Sequence, residues 1–432
     1  MANGLAGKFQ TFLGLTGVVA LGVTASLISG VNPITYVDDA FANALDKLTG
    51  ELSEPAPRWS DRVDGPPVAA AVSENQVVVV LNGAVEARRL SDGSQAWTRT
   101  VDWAVPAGEV VVAGRANAGG FDVLDADTGT VRWRDGKASD AWAYDDLVLS
   151  VTCTDDGDGC TLRARSSSDG TTRWRRGIDS AAQRLAGYPE LEDAVDRVGM
   201  LPPDYPGATP RLVGVVTDRR VIVVDTRTGA VRGELPETES TRVTMVGDRV
   251  LGVVAKPNPN GGCRHSVRAW NPSGAEVWRR AGYDFGTVSG SGCEQRVDPV
   301  GAGGVVAAVR PDNQPVLLGV RGGEVRWTGK AGETVVATDG RVALVRNADG
   351  RLTAVNAETG DQLWHRTAGE EAKVVVTSGA VLIADWDGGT VTAVSPGSGG
   401  VLGRWETRAD LIGADDAGMV LASGRTVGYA TW

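Results

Sequence analysis

Short runs of apolar, β-branched residues, separated by turn residues, make up most of the chain from Trp59 onward. Typical runs are "VVVVL" (77–81), "EVVVAG" (109–114), "VIVVD" (221–225) and "KVVV" (373–376). Runs of this length, divided at short intervals by turn-forming residues, indicate an all-β sandwich, barrel or propeller. A helical period is found only before this region.

The N-terminal part has a different pattern. Residues 9–37 carry no charge, and the apolar run 12–31 is, at about 30 Å as a helix, long enough to cross a bilayer. We predict a transmembrane helix within 9–37 and a cytoplasmic tail over 1–8, because Lys8 precedes the run and acidic residues follow it. The alternative is a cleavable signal peptide that ends at "AFA" (40–42). Both alternatives place the rest of the chain outside the cytoplasm.

A second helical segment follows the apolar run. Phe41, Leu45, Leu48 and Leu52 repeat at spacings of four, three and four, which places them on one face of a helix. The proline-containing stretch after them ends this pattern. We predict a juxtamembrane helix and linker over 38–57.

A short unit, glycine followed four residues later by tryptophan, recurs along the β-rich part. Its eight copies end at Trp97, Trp133, Trp174, Gly233, Trp278, Trp327, Trp364 and Trp405. The fourth copy has glycine in place of tryptophan, and the last is longer by two residues. Successive copies end 36, 41, 59, 45, 49, 37 and 41 residues apart, which is the length of one four-stranded propeller blade with insertions enlarging some.

The unit "DADTGTVRW" (125–133) is built like a hairpin turn. Asp125 and Thr128 can accept hydrogen bonds from backbone amides within the turn, and Gly129 can take the left-handed conformation that such a loop needs. Trp133 then lies on the next strand, where a large flat ring can fill the wedge between adjacent sheets. The repeated residues therefore have a mechanical role.

The pattern of strand, D/N-x-x-T-G-x-x-x-W and strand resembles the tryptophan-docking repeat of the pyrroloquinoline-quinone-type (PQQ-like) β-propellers. It covers nearly all of residues 58–432. The Arg-, Ala-, Gly- and Val-rich composition suggests a high-GC bacterial genome, and together with the apolar N-terminal run it leads us to expect a membrane-anchored bacterial, actinobacterial type. The resemblance implies about eight four-stranded blades, or alternatively nine. It also implies a blade-docking role for Trp59, Trp97, Trp133, Trp174, Trp278, Trp327, Trp364 and Trp405.

The two ends of the propeller region complete one another. "RWS" (58–60) has a strand tryptophan without a preceding turn, and residues 418–432 offer strands without a following docking strand. We predict that the two ends share one blade, which removes the exposed edges of an open ring. The eight glycine–tryptophan units and this shared blade add up to nine blades. Because family members usually have eight, we expect one unit to be irregular, either the Gly233 unit or the Trp405 unit.

Charge and cysteine content narrow the compartment and the partners. The net charge of −11 argues against nucleic acid or anionic lipid as a general partner. The four cysteines form two pairs close in sequence, and an even count in an exported protein indicates disulfides. Of the three pairings that four cysteines allow, we predict Cys153 with Cys160 and Cys263 with Cys293.

Residues for a quinone or metal site are not recognisable in the sequence. The quinoprotein dehydrogenases of the family have two adjacent cysteines and a calcium ion held by Glu and Asn, and no such set can be assigned here. Trp103, Trp142 and Trp386 could stack on a flat ligand, but tryptophans in a propeller more often pack. We therefore expect no cofactor.

Other catalytic and metal-binding patterns also fail. "CTDDGDGC" (153–160) lacks EF-hand ligands where Thr154 and Arg165 stand, although weak calcium binding by its aspartates stays open. The two histidines, His265 and His365, have no ligand or triad partner at a suitable spacing. We predict no catalytic residue and no metal site.

The least repetitive segment is the insertion over 177–210. Part of it fits one helical face, and a proline-rich stretch follows. A propeller loop this long either caps its own body or binds a partner. The candidate partner-binding residues are Tyr188, Leu191, Val195, Val198, Met200 and Tyr205.

Together these features predict a single-pass membrane protein with a cytoplasmic N-terminus and an extracytoplasmic propeller. We expect it to be a non-catalytic scaffold that binds or assembles proteins of the bacterial cell envelope. The alternative is a quinoprotein-like oxidoreductase, or a carbohydrate-active or ligand-binding propeller.

Overall fold

Nine four-stranded antiparallel sheets make up the described part of the chain. The computed structural model describes residues 57–432, apart from 74, 102, 115–118, 155–158, 180–181, 187–208, 219, 237–240, 260–261, 286–292 and 294–298. The predicted tail, transmembrane helix and juxtamembrane helix lie outside the described residues. Within those residues, no helix is long and apolar enough to cross a membrane.

The strands follow one another in order within each blade. Blades 1 to 3 contain β2 (Pro67–Val72), β3 (Gln76–Leu81), β4 (Ala84–Arg89), β5 (Gln95–Thr100), β6 (Ala104–Ala107), β7 (Val110–Gly114), β8 (Phe121–Asp125), β9 (Val131–Asp135), β10 (Asp140–Ala143), β11 (Leu147–Cys153), β12 (Cys160–Ser166) and β13 (Thr172–Ile178). Blades 4 to 6 contain β14 (Ala182–Ala186), β15 (Leu212–Thr217), β16 (Arg220–Asp225), β17 (Val231–Pro236), β18 (Thr241–Val246), β19 (Arg249–Pro257), β20 (Cys263–Trp270), β21 (Glu276–Ala281), β22 (Gly301–Ala302), β23 (Val305–Val309), β24 (Pro315–Gly319) and β25 (Val325–Thr328). Blades 7 to 9 contain β26 (Thr334–Thr338), β27 (Val342–Arg346), β28 (Arg351–Asn356), β29 (Gln362–Thr367), β30 (Lys373–Val376), β31 (Val381–Asp385), β32 (Thr390–Val394), β33 (Val401–Glu406), β34 (Asp410–Ala414), β35 (Gly418–Ser423), β36 (Thr426–Thr431) and, from the start of the ring, β1 (Trp59–Arg62).

The blades form a closed ring around their first strands. First strands of successive blades contact one another, among them β6 with β10, β26 with β30, and β34 with β2. The first strand of each blade therefore lies near the axis, and the fourth lies at the rim. Nine hydrophobic clusters, each shared by two adjacent blades, fill the nine junctions. Burial of these Val, Leu and Ala side chains supplies the main cohesion between blades.

The two ends of the ring share blade 9, as the sequence predicts. β1 pairs in antiparallel register with β36, with Trp59 opposite Tyr429. At the axis, a Cβ atom on Gly413 would lie 2.4 Å from the carbonyl oxygen of Ala70 in blade 1. Only glycine permits β34, the first strand of blade 9, to approach β2 this closely.

A buried arginine of blade 1 holds the closing strand. Arg88 Nη1 donates to Asp61 Oδ2 at 2.6 Å, and Nη2 donates to the carbonyl oxygen of Arg62 at 2.5 Å. Nη2 also lies 2.5 Å from Glu86 Oε1, and the Glu86 side chain is completely buried. Burial raises the pKa of Glu86, and the neighbouring Arg88 charge lowers it to a smaller extent. Blade 1 thus binds β1 through charge as well as through apolar packing.

The repeated turn has the geometry expected from its residues. Asp125 Oδ1 accepts hydrogen bonds from the Thr128 backbone N–H at 2.8 Å and from the Thr128 hydroxyl at 2.9 Å. Gly129 has a φ of 65°, in the left-handed region. Burial raises the pKa of Asp125, and hydrogen bonds from Arg132 and Thr128 lower it. The hydrogen bonds together outweigh burial, so the pKa lies below its ordinary value. Asp225 and Asn356 organise their turns in the same way.

The tryptophan of one blade packs on the turn of the next. A Cβ atom on Gly129 would lie 2.6 Å from the Trp97 ring, so the ring rests on a position that only glycine can occupy. The indole N–H also donates to a turn carbonyl, at distances of 2.6 to 3.1 Å. These pairs are Trp59 with Leu90, Trp97 with Ala126, Trp133 with Ser167, Trp174 with Thr226, Trp278 with Val320, and Trp364 with Pro396.

Two of the named tryptophans lie differently. The Trp327 ring covers Gly329, the residue after β25 of its own blade, and lies 2.4 Å from a hypothetical Cβ atom there. Trp405 stands two residues beyond the docking position, which Gly403 occupies opposite Ala393, and its ring covers Gly403. Its Nε1 is buried and has no hydrogen-bond partner among the described residues. Blade 9 has no turn to offer at this junction, because β36 and β1 come from opposite ends of the propeller.

The described residues form nine blades, the alternative count, instead of the eight that the family resemblance favours. The Gly233 and Trp405 units, one of which we expected to be irregular, each form a four-stranded blade, β14 to β17 and β30 to β33. Their strands pair through the backbone, which does not depend on the missing or displaced indole. Every anchor in the sequence therefore corresponds to a blade.

The docking hydrogen bond can be separated from ring packing by comparing two buried tryptophans. We expect Trp174→Phe to lower the free energy of unfolding by about 1–3 kcal/mol more than Trp405→Phe, because it leaves the Thr226 carbonyl without a donor. Chemical denaturation followed by circular dichroism measures both. Equal losses for the two variants would contradict this role of the indole N–H.

The arginine that holds the closing strand can be tested in a similar way. Arg88→Met leaves the Glu86 carboxylate buried without its cation, and we expect a loss of about 3–5 kcal/mol at pH 8. Burial raises the folded-state pKa of Glu86, and removal of the Arg88 charge raises it further, so the loss should become smaller as the pH falls from 8 towards 5 and the buried carboxyl is increasingly protonated. The control Glu86→Gln with Arg88→Met should lose less and show little pH dependence. A loss independent of pH in the single variant would refute the proposed role.

Candidate protein-binding face

The antiparallel order of the strands gives the ring two distinct faces. The turns between third and fourth strands, which receive the tryptophans, emerge on one face, here termed the docking-turn face. The hairpins between second and third strands and the connections to the next blade emerge on the other. We term this second face the disulfide face, because it carries Cys153, Cys160, Cys263 and Cys293.

The first disulfide closes a hairpin of blade 3. Cys153 ends β11 and Cys160 begins β12, and the two are directly opposed in the strand register. The Thr154 hydroxyl donates to the Gly159 carbonyl oxygen at 3.0 Å beside the disulfide. The aspartates between these residues, considered above for calcium, lie outside the described residues. A covalently closed tip of this kind limits the conformations of an exposed hairpin.

The second disulfide ties a long hairpin to a connection between blades. β19 and β20 have nine and eight residues, which makes this hairpin longer than its counterparts in neighbouring blades. Cys263 at the start of β20 is bonded to Cys293 in the connection that leads to blade 6. The structure thus contains both disulfides that we predicted. They hold two non-repeated elements in place on the same face.

Clefts open beside these elements on the disulfide face. One, of about 340 Å³, is lined by residues of blade 8 and the start of blade 9, including Lys373, Trp386 and Asp410. The Lys373 ammonium lies 5.4 Å from the centre of the Trp386 ring, and Trp386 Nε1 has no hydrogen-bond partner among the described residues. Burial raises the pKa of Asp410, and the Lys373 charge lowers it less.

A larger groove, of about 720 Å³, lies at the outer end of blade 5 and reaches the hairpin of blade 6. It is lined by several arginines and by His265, whose Nε2 is 4.0 Å from Asp284 Oδ1. A third cleft, of about 430 Å³, adjoins Arg220 of blade 4, which is paired with Asp179 and with Glu234. The clefts described here all lie on the face that carries the disulfides.

The candidate partner-binding residues predicted from the sequence lie outside the described residues; they are Tyr188, Leu191, Val195, Val198, Met200 and Tyr205. In sequence they fall between β14 and β15, and the ends of these two strands that face the segment lie on the docking-turn face. Of the candidate stacking tryptophans, Trp142 packs in the junction of blades 3 and 4 and Trp103 packs beside Gly114, whereas Trp386 lines a cleft.

The described residues do not fit the quinone site of the family. Its two cysteines are adjacent, whereas the disulfides here join residues separated by 7 and 30 positions. No group of three or more His, Cys, Asp or Glu side chains among the described residues could hold a metal ion. We therefore derive no chemical step that uses a quinone.

A family model described as the outer membrane protein assembly factor BamB matches residues 264–427. The matched range runs from the third strand of blade 5 into blade 9. Together with the nine four-stranded sheets and the docked tryptophans, this match supports a PQQ-like β-propeller.

Solved structures with a similar fold share little sequence with this chain. BamB from Moraxella catarrhalis is 17% identical with a TM-score of 0.43, and the match covers 88% of this chain and 99% of that chain. The computationally designed Ika8 protein is 14% identical with a TM-score of 0.46, covering 88% and 100%. The quinohemoprotein alcohol dehydrogenase ADHIIG from Pseudomonas putida HK5 is 12% identical with a TM-score of 0.42, covering 88% and 76%. Such likenesses carry no information about function, and no curated protein matches the sequence.

The groove of blade 5 was not predicted from the sequence. The sequence feature that could have indicated it is the alternation of side chains in "CRHSVRAW" (263–270), which places Arg264 and Arg268 on one face of β20. The remaining cations come from β19, β21 and blade 6, and their proximity depends on strand register.

The two disulfides should differ in their contribution to stability. Cys263→Ser with Cys293→Ser opens a loop of separation 30, and Cys153→Ser with Cys160→Ser opens one of separation 7. From loop entropy we expect losses of about 4 and about 2.5 kcal/mol in the free energy of unfolding. Chemical denaturation measures both losses. Hydrogen exchange should rise in β19 and β20 only in the first variant, and equal exchange in both variants would contradict this assignment.

Proposed function

We propose that this propeller is a non-catalytic scaffold that binds or assembles proteins in the bacterial cell envelope. The observation that carries the proposal is the grouping of non-repeated elements on the disulfide face. That face carries both closed hairpins and the three clefts described above, whereas the repeated turns of the other face are used to join blades. Loops held on a rigid framework are the usual place for binding residues.

Two further observations support the proposal. Disulfides form and persist in oxidising compartments, which agrees with an exported propeller. The matching family model is named for an assembly factor of the outer membrane, and its matched range begins within the blade that carries the largest described groove. We propose that residues 9–37 anchor the protein in the membrane, with the N-terminus in the cytoplasm and envelope or membrane proteins as its partners.

The insertion over 177–210 is proposed as a second partner-binding element. Within this range, residues 177–178 end β13 and residues 182–186 form β14, so the non-repeated part is the segment between β14 and β15. The ends of β14 and β15 that this segment joins lie on the docking-turn face, opposite the disulfide face. A partner that contacts both faces would reach around the rim of blade 4. The two elements can therefore be tested separately.

Photo-crosslinking in the native envelope tests which face binds. A photo-reactive amino acid is placed at exposed Thr154 or Asn313 on the disulfide face, or at exposed Asp127 or Glu358 on the docking-turn face. We expect discrete protein adducts from Thr154 and Asn313, at least fivefold more abundant than those from the two controls. Mass spectrometry identifies the adducts.

Two outcomes oppose the proposal. Adducts restricted to Asp127 and Glu358 would reject the disulfide face as the binding surface, and the lack of adducts at all four positions would reject the scaffold. Replacing residues 187–208 with a short Gly-Ser turn tests the insertion. An unchanged set of adducts in that variant would remove its assigned role.

A ligand-binding or carbohydrate-active propeller is the second candidate. The cleft with Trp386 supports it, because an indole ring next to Asp385, Asp387 and Asp410 offers one stacking surface and several hydrogen-bond acceptors. A quinoprotein would gain thermal stability from pyrroloquinoline quinone with calcium. An oligosaccharide that raises the melting temperature of the full-length protein, but not that of Trp386→Ala, would favour the second candidate over the scaffold.

A further inference from the structure

The groove at the outer end of blade 5 has a charge opposite to that of the whole chain. The protein has a net charge of −11. Five of the residues that line the groove are cations, Lys256, Arg264, Arg268, Arg279 and Arg310, and the acidic lining residue is Asp284. A concave surface concentrates the field of such charges. The groove is therefore suited to an anion.

Two pairs of like charges stand directly opposite each other in the sheet of blade 5. Lys256 of β19 is the register partner of Arg264 in β20, and Arg268 of β20 is the partner of Arg279 in β21. Like charges at opposed positions destabilise a sheet. Glu276 bridges the second pair, since it binds Arg279 at 2.9 Å and lies 3.9 Å from Arg268.

The first pair has no such bridge among the described residues. Lys256 and Arg264 are both exposed, and within the described ranges neither forms an ion pair. An arrangement that costs stability and is not compensated within the fold is typical of a site kept for binding.

Polar atoms along the same strand also lack partners. Ser266 Oγ and Arg268 Nε are each buried and have no hydrogen-bond acceptor or donor among the described residues. Both residues line the groove and lie on the same face of β20 as Arg264. Buried polar atoms are rarely left unpaired, and a bound anion would accept hydrogen bonds from Ser266 and Arg268.

We infer that this groove binds an acidic, extended segment of a partner protein. The inference rests on the proposed scaffold function and names the chemistry of the segment that the scaffold recognises. Guanidinium groups bind carboxylates in a bidentate geometry, and arginine clusters are a common means of recognising acidic motifs.

The spacing of the cations favours an extended peptide. Arg264 and Arg268 are four residues apart on one face of β20, or about 13 Å along the strand. Val254, Ser266 and Ala281 are register partners, and they form a row across the sheet between the two cationic pairs. Carboxylates four residues apart in an extended segment would match the two pairs, with a small or apolar residue between them.

Fluorescence anisotropy with the full-length protein in detergent tests the inference. The probe is a labelled hexaglutamate peptide, and its control is the hexaglutamine peptide. We expect hexaglutamate to bind at least tenfold more tightly than hexaglutamine at low salt, and the difference to shrink as the ionic strength rises.

Two matched double variants locate the site. Lys256→Gln with Arg264→Gln should weaken hexaglutamate binding at least tenfold. Lys137→Gln with Arg425→Gln removes two exposed cations from the same face in other blades, and should change binding less than twofold. Equal effects of the two double variants would overturn the inference, because they would indicate a response to total charge.

The melting temperature distinguishes a binding site from a structural one. Removing opposed cations that have no internal partner should leave the melting temperature of Lys256→Gln with Arg264→Gln unchanged or raise it. A clear fall would show that a carboxylate of the chain itself pairs with them, and would overturn the inference.

Two further probes separate other sources of negative charge. Inorganic polyphosphate and vesicles containing phosphatidylglycerol are tested as competitors of hexaglutamate. If either binds more than tenfold more tightly than hexaglutamate and depends on Lys256 and Arg264, the acidic protein segment is rejected as the ligand.

Failure of this inference and failure of the scaffold are distinguishable. Crosslinks from Thr154 and Asn313 without hexaglutamate binding would reject the acidic segment and leave the scaffold in place. Hexaglutamate binding that depends on Arg264, without any crosslinked protein in the envelope, would reject the scaffold.

Discussion

An indole ring pressed onto a glycine is the contact on which the ring of blades depends. Trp97 covers Gly129 so closely that no side chain fits there, and its N–H binds the Ala126 carbonyl oxygen across the junction. A contact made from one blade to the next fixes the angle between them, and repeating it around the axis sets the curvature of the ring. The indole contact is missing at the Gly233, Trp327 and Trp405 units. At Gly233 backbone packs on backbone instead, since a Cβ atom on Gly274 would lie 2.1 Å from the Arg232 carbonyl oxygen.

Much of the fold could be predicted because its causes are local in sequence. Asp125, Thr128 and Gly129 shape a turn within five residues, and Trp133 follows at a fixed distance on the next strand. The closure at Trp59 could also be predicted, because a docking strand without a turn needs a partner. The blade count was predicted less well, because the eight blades usual in the family were preferred to the nine that the repeated units and the shared blade of this chain indicate. Each unit that we doubted retains its hydrogen-bonded strands, whatever side chain stands at the docking position.

The candidate site was less predictable, because its partners are distant in sequence or set by register. Cys153 and Cys160 could be paired from spacing alone, but Lys256 faces Arg264 only because a hairpin of particular length joins their strands. The contact of Arg88 with Asp61 joins blade 1 to a strand that completes blade 9. In the sequence, Glu86 looks like an ordinary exposed polar residue of a strand, and nothing there indicates that it is buried beside Arg88. The repeated residues therefore indicate the fold, and the residues outside the repeat indicate which surfaces are available for binding.

The shared blade also constrains the order in which the protein can mature. β1 precedes every other strand of the ring in sequence, yet its register partner β36 follows all of them. During synthesis the segment around Trp59 must wait, unpaired, until the last blade has been made, and contacts so distant in sequence form slowly. After β36 has been made and before β1 pairs with it, blade 9 presents an open edge at β36, to which an extended strand of another molecule could add. A chaperone that shields this edge would therefore act on the nascent chain at the stage when eight blades exist and the ninth is incomplete.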